Sequence, residues 1–427
     1  MRREGRLSPG RRPAAALAAV LAAALAGCPS NREYTDPDAL VVATYANFTE
    51  QTVALVSRWR ARNPGTKVAF VSLQPGDFQQ AMYPRLLTGA HVPDVLVVDA
   101  GYLARFGAGD LLEELSGSET AAAVRDLPAG AVAQGTVNGR LVGVAAELAP
   151  VTLFYRKDVL ERAGVGEAEL TASWESFVAA CGKVRSTTGA FCLSSEAELL
   201  EWALRAGLPS GASPYVSAEG APYPDGARVT RALALARAAA AAGIASRAPA
   251  GSDGWRELLR QGRIAVQGGG PTMARRLQRA DPGGRGAWRS APLPEGAAVS
   301  APSAFCALSA RGARKKLAWD LLRGSCLDPA AQVTAWEEAG ALPALRSAAA
   351  DPRVEVPVPA LGGQAAGPAW RAAAVLLPAV AYHRLEAAAA DALLRELDRV
   401  VYRGKSLEQA LADARAELAR RMERGRR

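Results

Sequence analysis

The order of predicted strands and helices is the feature of the sequence that most restricts its fold. Leu40–Tyr45 and Lys67–Leu73 have strand composition, and between them Thr49 is placed to cap a helix with apolar residues at helical spacing. Val95–Val98 is continuously apolar, which is typical of a strand covered on both faces. This alternation predicts an α/β fold in which a mostly parallel sheet is flanked by helices.

The remainder of the chain continues the alternation and ends in helices. Further strands are predicted at Leu141–Ala145, Val151–Tyr155, Ile264–Gln267 and Phe305–Ser309. The segment Pro368–Met422 is predicted to be helical apart from one break. A chain of 427 residues exceeds what one hydrophobic core usually supports, so we expect two lobes.

The first 28 residues predict export and a lipid anchor. A leader with five arginines precedes an apolar run of 13 residues, Ala14–Ala26, which is too short to span a membrane. The run ends in Leu25-Ala26-Gly27-Cys28, which resembles a bacterial lipobox. On that resemblance residues 1–27 are a signal peptide, Cys28 is lipid-modified, and residues 28–38 link the anchor to the fold. We therefore expect an exported protein held at the membrane on its periplasmic or extracellular side.

The positive net charge does not indicate a nucleic-acid partner. Of the total of +9, the leader carries +4 and the segment Arg420–Arg427 carries another +4, so the body of the chain has about +1. Proteins that bind DNA or RNA carry a basic patch on a folded face, often with interleaved aromatic residues. No such cluster occurs in the body of this sequence, so we expect no nucleic-acid partner.

The cysteines are consistent with an oxidising compartment. With Cys28 assigned to the anchor, four cysteines remain, and an even number favours pairing outside the cytoplasm. Three connectivities are possible. We favour Cys181–Cys192 with Cys306–Cys326, because each bond closes a short segment, and four buried thiols are the alternative.

A set of short motifs in a fixed order gives the chain a family resemblance. The motifs are Val92-Pro93-Asp94-Val95, Asn138–Val144, Leu153–Leu160, Trp174-Glu175-x-Phe177, Leu259–Val266, Ala291–Pro294, Gly340–Ala344 and Gly404–Leu411. Together they resemble the bacterial extracellular solute-binding proteins of the family 1 type, which are maltose-binding-protein-like sugar receptors of ABC transporters. The resemblance runs from about Leu40 to Leu418.

The resemblance implies a two-lobe periplasmic-binding-protein fold of type II, in which each lobe is a mostly parallel sheet flanked by helices, with a helical C-terminal segment. On the family pattern, lobe one comprises residues 39–145 and 299–345, and lobe two comprises residues 146–298 and 346–427. It also implies a monomer that captures a small solute, most simply a sugar or oligosaccharide, by hinge closure and delivers it to ABC transporter permease subunits. An envelope sensor that signals to a membrane receptor, and a non-sugar solute such as a polyamine or an organic anion, are the alternatives.

Ligands of open α/β sheets bind beyond the carboxyl ends of the strands, which predicts two groups of binding residues. Tyr45, Asn47 and Glu50 follow the first strand, and interaction with the helix dipole is the alternative role of Glu50. Asp99 and Tyr102 follow the third strand, and capping of the next helix is the alternative role of Asp99.

Four further positions are predicted to bind ligand. Glu147 resembles the family's polar position next to the hinge, with a surface ion pair as its alternative role. Gly269 and Gly270 would let a ligand approach the backbone closely. Trp370 resembles the family's late stacking tryptophan, with core packing as the alternative. The family often has a tryptophan after the glycines, whereas this chain has Pro271, and that difference leaves the ligand class open.

Catalysis, cofactors and metals are not predicted. Only His91 and His383 are present, which makes a histidine-based metal site or a Ser-His-Asp catalyst hard to build. No H-E-x-x-H, C-x-x-C or G-x-S-x-G motif occurs. An acid–base pair of Asp99 and Glu147 across a cleft has no support from their spacing.

Overall fold

The computed structural model describes residues 38–284, 286–383 and 385–424. The predicted signal peptide, the lipidation site Cys28 and the last three residues lie outside these ranges. Within them, no helix combines the length and the apolar character that crossing a membrane requires.

The strands of the described residues are labelled by chain order. They are β1 (Leu40–Tyr45), β2 (Val68–Leu73), β3 (Val95–Val98), β4 (Thr136–Val137), β5 (Arg140–Leu141), β6 (Val144–Ala145), β7 (Thr152–Arg156), β8 (Val266–Gly269), β9 (Trp288–Ala291) and β10 (Phe305–Leu308). They form a five-stranded sheet, a three-stranded sheet and the small hairpin of β4 with β5.

The helices are labelled in the same way. They are α1 (Thr49–Arg62), α2 (Pro75–Thr88), α3 (Ala100–Gly107), α4 (Ser118–Asp126), α5 (Ala129–Gly135), α6 (Lys157–Ala163), α7 (Glu167–Thr171), α8 (Trp174–Thr188), α9 (Glu196–Arg205), α10 (Gly226–Ala241), α11 (Asp253–Arg260), α12 (Thr272–Ala280), α13 (Lys315–Ser325), α14 (Pro329–Ala339), α15 (Arg346–Ala349), α16 (Gly367–Val375), α17 (Glu386–Arg403) and α18 (Leu407–Arg424). Short 3₁₀ turns occur at Ala46–Phe48, Pro282–Gly284, Pro294–Gly296, Pro352–Val354 and Pro359–Leu361.

The five-stranded sheet has the strand order β2-β1-β3-β10-β6. Strand β1 pairs parallel with β2 and β3, as the alternation of strands and helices predicted, while β10 pairs antiparallel with β3 and β6. All residues of β1 and β3 are buried, because helices cover both faces of this sheet. On one of these helices the Trp59 indole N–H donates a 2.9 Å hydrogen bond to Asp320 and ties α1 to α13.

The three-stranded sheet has the order β8-β7-β9. Strand β7 pairs antiparallel with both neighbours, whereas a mostly parallel sheet was expected in each lobe. Parallel pairing in this region is limited to single bridges, Phe191 with Ile264 and Leu193 with Ala245. The apolar pattern of a strand indicates burial on both faces but carries no information on its direction, so this detail of the prediction was wrong while the α/β class is confirmed.

Two chain segments run side by side between the sheets, residues 146–151 and residues 299–304, and we call them the crossing segments. They pair antiparallel: the Ala146 amide donates to the Ala304 carbonyl and the Val151 amide to the Val299 carbonyl, both at 2.8 Å. The Leu148 amide also donates to the carbonyl of Leu342 at 2.9 Å. The lobes are thus joined by short, hydrogen-bonded backbone, and the residue boundaries given above remain a prediction.

The C-terminal helices form a separate apolar cluster with the middle of the chain. Helices α17 and α18 pack on α10 through buried residues that include Leu233, Leu393 and Leu418. Tyr223 lies in the same cluster, and its hydroxyl donates a 2.7 Å hydrogen bond to the Ala389 carbonyl. The helical C-terminal segment therefore packs on the middle of the chain through a shared apolar cluster.

One of the two favoured disulfides is present. Cys306 of β10 and Cys326 after α13 are bonded and lie 20 residues apart in sequence. Cys181 and Cys192 are buried thiols rather than a disulfide, which corrects the prediction for this pair. Burial and the hydrogen bond to Cys192 raise the pKa of the Cys181 thiol well above its ordinary value.

Candidate functional site

A cavity of about 430 Å³ lies between the two large sheets. The first sheet contributes Asp99, which follows β3, and Phe305, which begins β10; the second contributes Gly268 and Gly269 of β8. Helix α9 and the crossing segment of residues 299–304 line the sides. Because its walls come from both lobes, we call it the interlobe cavity.

Asp99 is held rigidly on the wall of the interlobe cavity. Its carboxylate accepts hydrogen bonds from the backbone amides of Gly101 and Tyr102, at 2.8 and 3.1 Å, and so caps α3. The Tyr45 hydroxyl donates a third hydrogen bond at 2.5 Å. Asp99 therefore caps the helix and also lines the cavity, and its role in ligand binding stays a prediction.

Helix α9 presents a mixed polar and aromatic face to the interlobe cavity. The residues that it contributes are Glu198, Glu201, Trp202 and Arg205. Their spacing of i, i+3, i+4 and i+7 places them on one side of the helix. Leu199, on the other side, is buried in the core and anchors the helix.

Arg205 and Glu201 form an ion pair on this face of α9. The Arg205 guanidinium donates to the Glu201 carboxylate at 3.0 Å, and the Tyr215 hydroxyl donates to the same carboxylate. The guanidinium also lies 5.7 Å from the centre of the Tyr215 ring. Glu201 is thus neutralised and oriented by two donors, which lets an acidic group remain beside an apolar core.

Glu198 has a different environment. Its carboxylate accepts a 2.7 Å hydrogen bond from the backbone amide of Ser194. Burial raises the pKa of Glu198 to about 7. At neutral pH this group therefore exists in both protonation states, so it can donate a hydrogen bond as well as accept one.

The segment that follows α16 spans the two walls. The Gln134 side-chain amide of α5 donates to the Pro378 carbonyl at 3.5 Å, and the Gly211 amide donates to the Ala379 carbonyl at 2.7 Å. Tyr382 of this segment lines the interlobe cavity, and burial raises the pKa of its hydroxyl to about 12. The segment therefore adds an aromatic hydroxyl to the site from a distant part of the sequence.

A second cavity, of about 940 Å³, lies between the loop after β1 and the helices α11 and α12. Four arginines line it, so we call it the arginine cavity; they are Arg256, Arg260, Arg276 and Arg279. Asn47 and Glu50 line it from the first lobe. The Arg276 guanidinium donates to the Asn47 carbonyl at 2.8 Å, and Arg279 forms an ion pair with Glu50, so the two lobes are in contact here.

Thr49, beside these residues, does not cap α1. It is the first residue of the helix, and its hydroxyl lies 2.6 Å from the Ser72 hydroxyl of β2. The Glu50 side chain pairs with Arg279 across the lobe contact, so its role is not limited to an interaction with the helix dipole. The residues after β1 thus face the second lobe.

Glu147 is buried between the lobes rather than exposed. One carboxylate oxygen accepts a 3.4 Å hydrogen bond from the Gln51 side-chain amide, while the other has no hydrogen-bond partner among the described residues. Burial raises the pKa of Glu147 to about 7, which the Gln51 hydrogen bond partly opposes. A surface ion pair is therefore excluded for this residue, and it lines neither the interlobe cavity nor the arginine cavity.

The glycines at the end of β8 permit close packing. A Cβ atom at Gly268 would overlap the Trp202 ring, and one at Gly270 would lie 3.0 Å from the Cβ of Ala149. Gly269 lines the interlobe cavity, and its approach by a ligand stays a prediction, whereas Gly270 is buried against the first crossing segment. At Gly268 and Gly270, therefore, the lack of a side chain is needed for packing within the protein.

Trp370 belongs to the core and is not open to the interlobe cavity. Only 2% of the residue is exposed, and its indole N–H donates a 3.0 Å hydrogen bond to the Ser290 hydroxyl. Its ring packs on Phe154 and Trp336 at centroid distances of 5.9 and 6.0 Å. The predicted stacking role therefore does not fit this position, and core packing describes it.

Tyr45 and Tyr102 form an aromatic cluster behind the site. The two rings lie 5.5 Å apart, and the Tyr45 ring is 4.7 Å from Phe48. Tyr45 is buried and Tyr102 is half-buried, and neither lines the interlobe cavity. Tyr45 acts on the site through its hydrogen bond to Asp99.

The sequence analysis did not predict that Tyr382 and the residues of α9 line the site. The spacing of Glu198, Glu201 and Arg205 could have indicated a binding surface, because it places three charged side chains on the same helix face as Trp202. Tyr382 gave no such signal. In the described ranges no group of three or more His, Cys, Asp or Glu residues is placed to hold a metal ion.

A cavity of this size between two lobes is a common location for a small-molecule site. The sequence profile described as bacterial extracellular solute-binding protein matches residues 47–360. The chain belongs to this family. No curated protein matches the chain in sequence.

Solved structures with the same fold cover nearly the whole chain. The GacH receptor of Streptomyces glaucescens, solved unliganded and with acarbose, is 18% identical with a TM-score of 0.70, covering 88% of this chain and 97% of its own. The ABC transporter associated binding protein of Bifidobacterium animalis subsp. lactis, in complex with β-1,6-galactobiose, is 16% identical with a TM-score of 0.74, covering 90% and 97%. The sugar-binding protein MalE of Xanthomonas citri is 20% identical with a TM-score of 0.69, covering 91% and 99%. The two-lobe type II periplasmic-binding fold is thereby confirmed.

Proposed function

We propose that the protein is the receptor of an ABC importer and captures a sugar or oligosaccharide in the interlobe cavity. The solute would be released chemically unaltered to permease subunits in the membrane. Family membership supports solute binding, and the structural neighbours named above were solved with sugars or are called sugar-binding. Retention at the membrane would come from lipid on Cys28, and the receptor would act as a monomer.

The observation that carries this proposal is that the interlobe cavity has polar walls from both lobes. Asp99 faces it from the first lobe, and Glu198 with Arg205 faces it from the second. A ligand that touches both walls favours the closed arrangement by its differential affinity for that state. The volume of about 430 Å³ falls within the range of roughly 300–1,000 Å³ for small-molecule sites.

The chemistry of the walls suits a carbohydrate. Carboxylates accept hydrogen bonds from sugar hydroxyls, and the guanidinium of Arg205 donates to them. The edge of Trp202 and the ring of Tyr382 provide apolar surface for the carbon skeleton. This combination of aromatic and charged groups is less suited to a purely apolar solute.

Hinge motion is assigned to the crossing segments. Residues 39–145 and 299–345 would form lobe one, and residues 146–298 and 346–427 lobe two. Residues 146–151 and 299–304 would then bend together, because their mutual backbone hydrogen bonds keep them paired. Small-angle scattering with and without ligand should reveal a decrease in the radius of gyration on binding.

A thermal-shift screen tests the proposal directly. A glycan that binds should raise the Tm in proportion to RT ln(1 + [L]/Kd), and polyamines and organic anions serve as the competing ligand classes. A screen in which no glycan raises the Tm while polyamines do would refute the sugar assignment. Absence of any stabilising small solute would refute the receptor itself.

Matched variants then locate the site. Asp99→Asn and Glu198→Gln alter one wall each, and we expect each to weaken the binding of the glycan about tenfold, which corresponds to about 1.4 kcal/mol. Glu408→Gln on the exposed face of α18 is the control and should bind like the parent protein. If the control and the two site variants behave alike, the ligand binds elsewhere.

The anchor has its own test. Mass spectrometry of the protein purified from membranes should find Cys28 as a lipid-modified N-terminus, and Cys28→Ser should release the protein from the membrane fraction. An unmodified Cys28 within an intact leader would contradict the lipobox assignment.

A further inference from the structure

The arginine cavity carries a surplus of positive charge that the proposed sugar-binding role leaves unexplained. Its lining holds four arginines, whereas Glu50 is the one acidic residue among the residues that line it. The cavity lies between elements of both lobes, because Asn47 and Glu50 line it from the first lobe and the helices α11 and α12 line it from the second.

Arg276 is the least compensated of these charges. Its guanidinium is half-buried and donates to one carbonyl, that of Asn47, and it has no ion pair among the described residues. Burial lowers the pKa of Arg276, and the attraction of Glu50 and Glu147 only partly opposes the shift. A guanidinium has five N–H donors, so several remain for a ligand.

The other three arginines are held by weak partners. Arg256 pairs with Asp253 and Arg260 with Glu257, each three residues away on the same helix, and all four side chains are substantially exposed. Exposed pairs of this kind contribute little free energy, so the guanidinium groups can exchange partners readily. Arg279 pairs with the exposed carboxylate of Glu50.

We propose that the solute carries an oxyanion, a carboxylate or a phosphate, which binds to Arg276 and Arg279 in the arginine cavity. The solute is thus an acidic saccharide. This inference rests on the proposed function and names the class of its ligand. Guanidinium groups bind carboxylates and phosphates through paired, charge-assisted hydrogen bonds, which suits them to this role.

Residues that line the two cavities follow neighbouring strands of the first sheet. Strands β1 and β3 are neighbours in the sheet, and strands lie roughly 5 Å apart. Asn47 comes shortly after β1 and Asp99 directly after β3, and the Tyr45 hydroxyl at the end of β1 contacts Asp99. A ligand that spans both cavities would place its sugar hydroxyls in the interlobe cavity and its oxyanion in the arginine cavity.

The oxyanion would also contribute to closure. Arg276 and Arg279 belong to the second lobe, whereas Asn47 and Glu50 belong to the first. An anion between the arginines neutralises charge at the contact between the lobes, so it favours the closed arrangement over the open one. A neutral sugar lacks this contribution.

Calorimetric titration of matched ligands on the full-length mature protein tests the inference. The ligand pairs are glucose with glucuronate and glucose with glucose 6-phosphate, and inorganic phosphate is the probe for the anion alone. The variant Arg276→Gln removes the charge but keeps a donor toward Asn47, and Arg279→Gln is a second variant. Arg237→Gln, on the exposed side of α10, removes the same charge far from the cavity.

We expect the acidic member of a pair to bind at least about tenfold more tightly than the neutral one, and Arg276→Gln to abolish that difference. The preference should also decrease with rising salt, because the arginines are partly exposed. Arg237→Gln should retain the preference. The Kd values of the carboxylate and the phosphate ligand are measured on the same set of variants, and the lower Kd identifies the preferred oxyanion.

Two results would overturn the inference. If neutral glycans bind, respond to Asp99→Asn and have the same Kd as their acidic counterparts, the proposed function stands and the acidic ligand class is wrong. If Arg276→Gln and Arg237→Gln weaken acidic ligands equally, the arginine cavity is not the site. Absence of any stabilising glycan, neutral or acidic, in the thermal-shift screen would instead refute the sugar-binding function on which the inference rests.

Discussion

The Tyr45 hydroxyl donates a 2.5 Å hydrogen bond to the Asp99 carboxylate and so links the ends of the two central parallel strands. Burial raises the pKa of Tyr45 well above its ordinary value, with the Asp99 charge as the next cause, so the phenol stays protonated and remains a donor at any physiological pH. Asp99 thereby keeps one oxygen toward helix α3 and a fixed orientation at the interlobe cavity.

The variant Tyr45→Phe should lower the free energy of unfolding by about 1.5 kcal/mol, because a buried hydrogen bond to a charged group is lost without a change in packing. Tyr83→Phe, at a residue that is 40% exposed, is the control and should change stability by less than about 0.5 kcal/mol. Urea unfolding of the three proteins measures both values. Equal stabilities would mean that the hydrogen bond does not hold Asp99 in place.

Gly268→Ala should destabilise the protein by about 1–3 kcal/mol, because the added Cβ overlaps the Trp202 ring and forces the core to rearrange. Gly65→Ala makes the same chemical change at a turn where no atom lies within 4 Å, and it should stay within about 0.5 kcal/mol of the parent. Thermal and urea unfolding provide the comparison. A Gly268→Ala protein as stable as Gly65→Ala would show that the ring has room to move.

The order of elements could be predicted from the sequence because strands covered on both faces are continuous apolar runs. Val95–Val98 is such a run, and it lies at the centre of the first sheet. The direction of β7 could not be predicted in this way, since it depends on how residues more than a hundred positions later meet it. Periodicity reports burial, whereas strand direction depends on the long-range connection.

The position of Asp99 at the site could be predicted from its neighbours in the sequence alone. Asp99 follows an apolar strand, and a carboxylate in such a position must be paired or solvated. Trp370 could not be placed because its burial depends on Phe154 and Trp336 from remote elements. Arg276 gave no signal either, since arginines on helices are mostly solvated and its contact with Asn47 joins residues 229 positions apart in the sequence.

Replacing Cys306 and Cys326 together by serine should lower the free energy of unfolding by about 3 kcal/mol, because the bond restricts a 20-residue segment of the unfolded chain. The control is the parent protein in reductant, which should lose a similar amount. Mass mapping after alkylation under denaturing conditions should find one disulfide, with Cys181 and Cys192 alkylated. Full alkylation of all four cysteines would contradict the assignment.

The raised pKa of Glu147 makes the free energy of unfolding decrease as the pH rises. Its pKa is raised from 4.5 to about 7 in the folded state, chiefly by burial, so between these values the folded protein binds more protons than the unfolded chain. The contribution of Glu147 to stability is therefore fully present below about pH 4.5 and is lost as the pH rises through about 7. Glu198 and Glu386 have pKa values raised in the same way and add to the same trend.

Glu147→Gln should consequently flatten the pH profile of stability. The variant does not titrate at this position. Between pH 5 and pH 8 its free energy of unfolding should therefore decrease less than that of the parent, and the two decreases should differ by about 3 kcal/mol. Urea unfolding across this range gives the difference between the two profiles, and Glu408→Gln on the exposed surface should reproduce the parent profile. Parallel profiles for the parent and Glu147→Gln would mean that the Glu147 carboxyl titrates as it does in water, so that the burial between the lobes does not persist in solution.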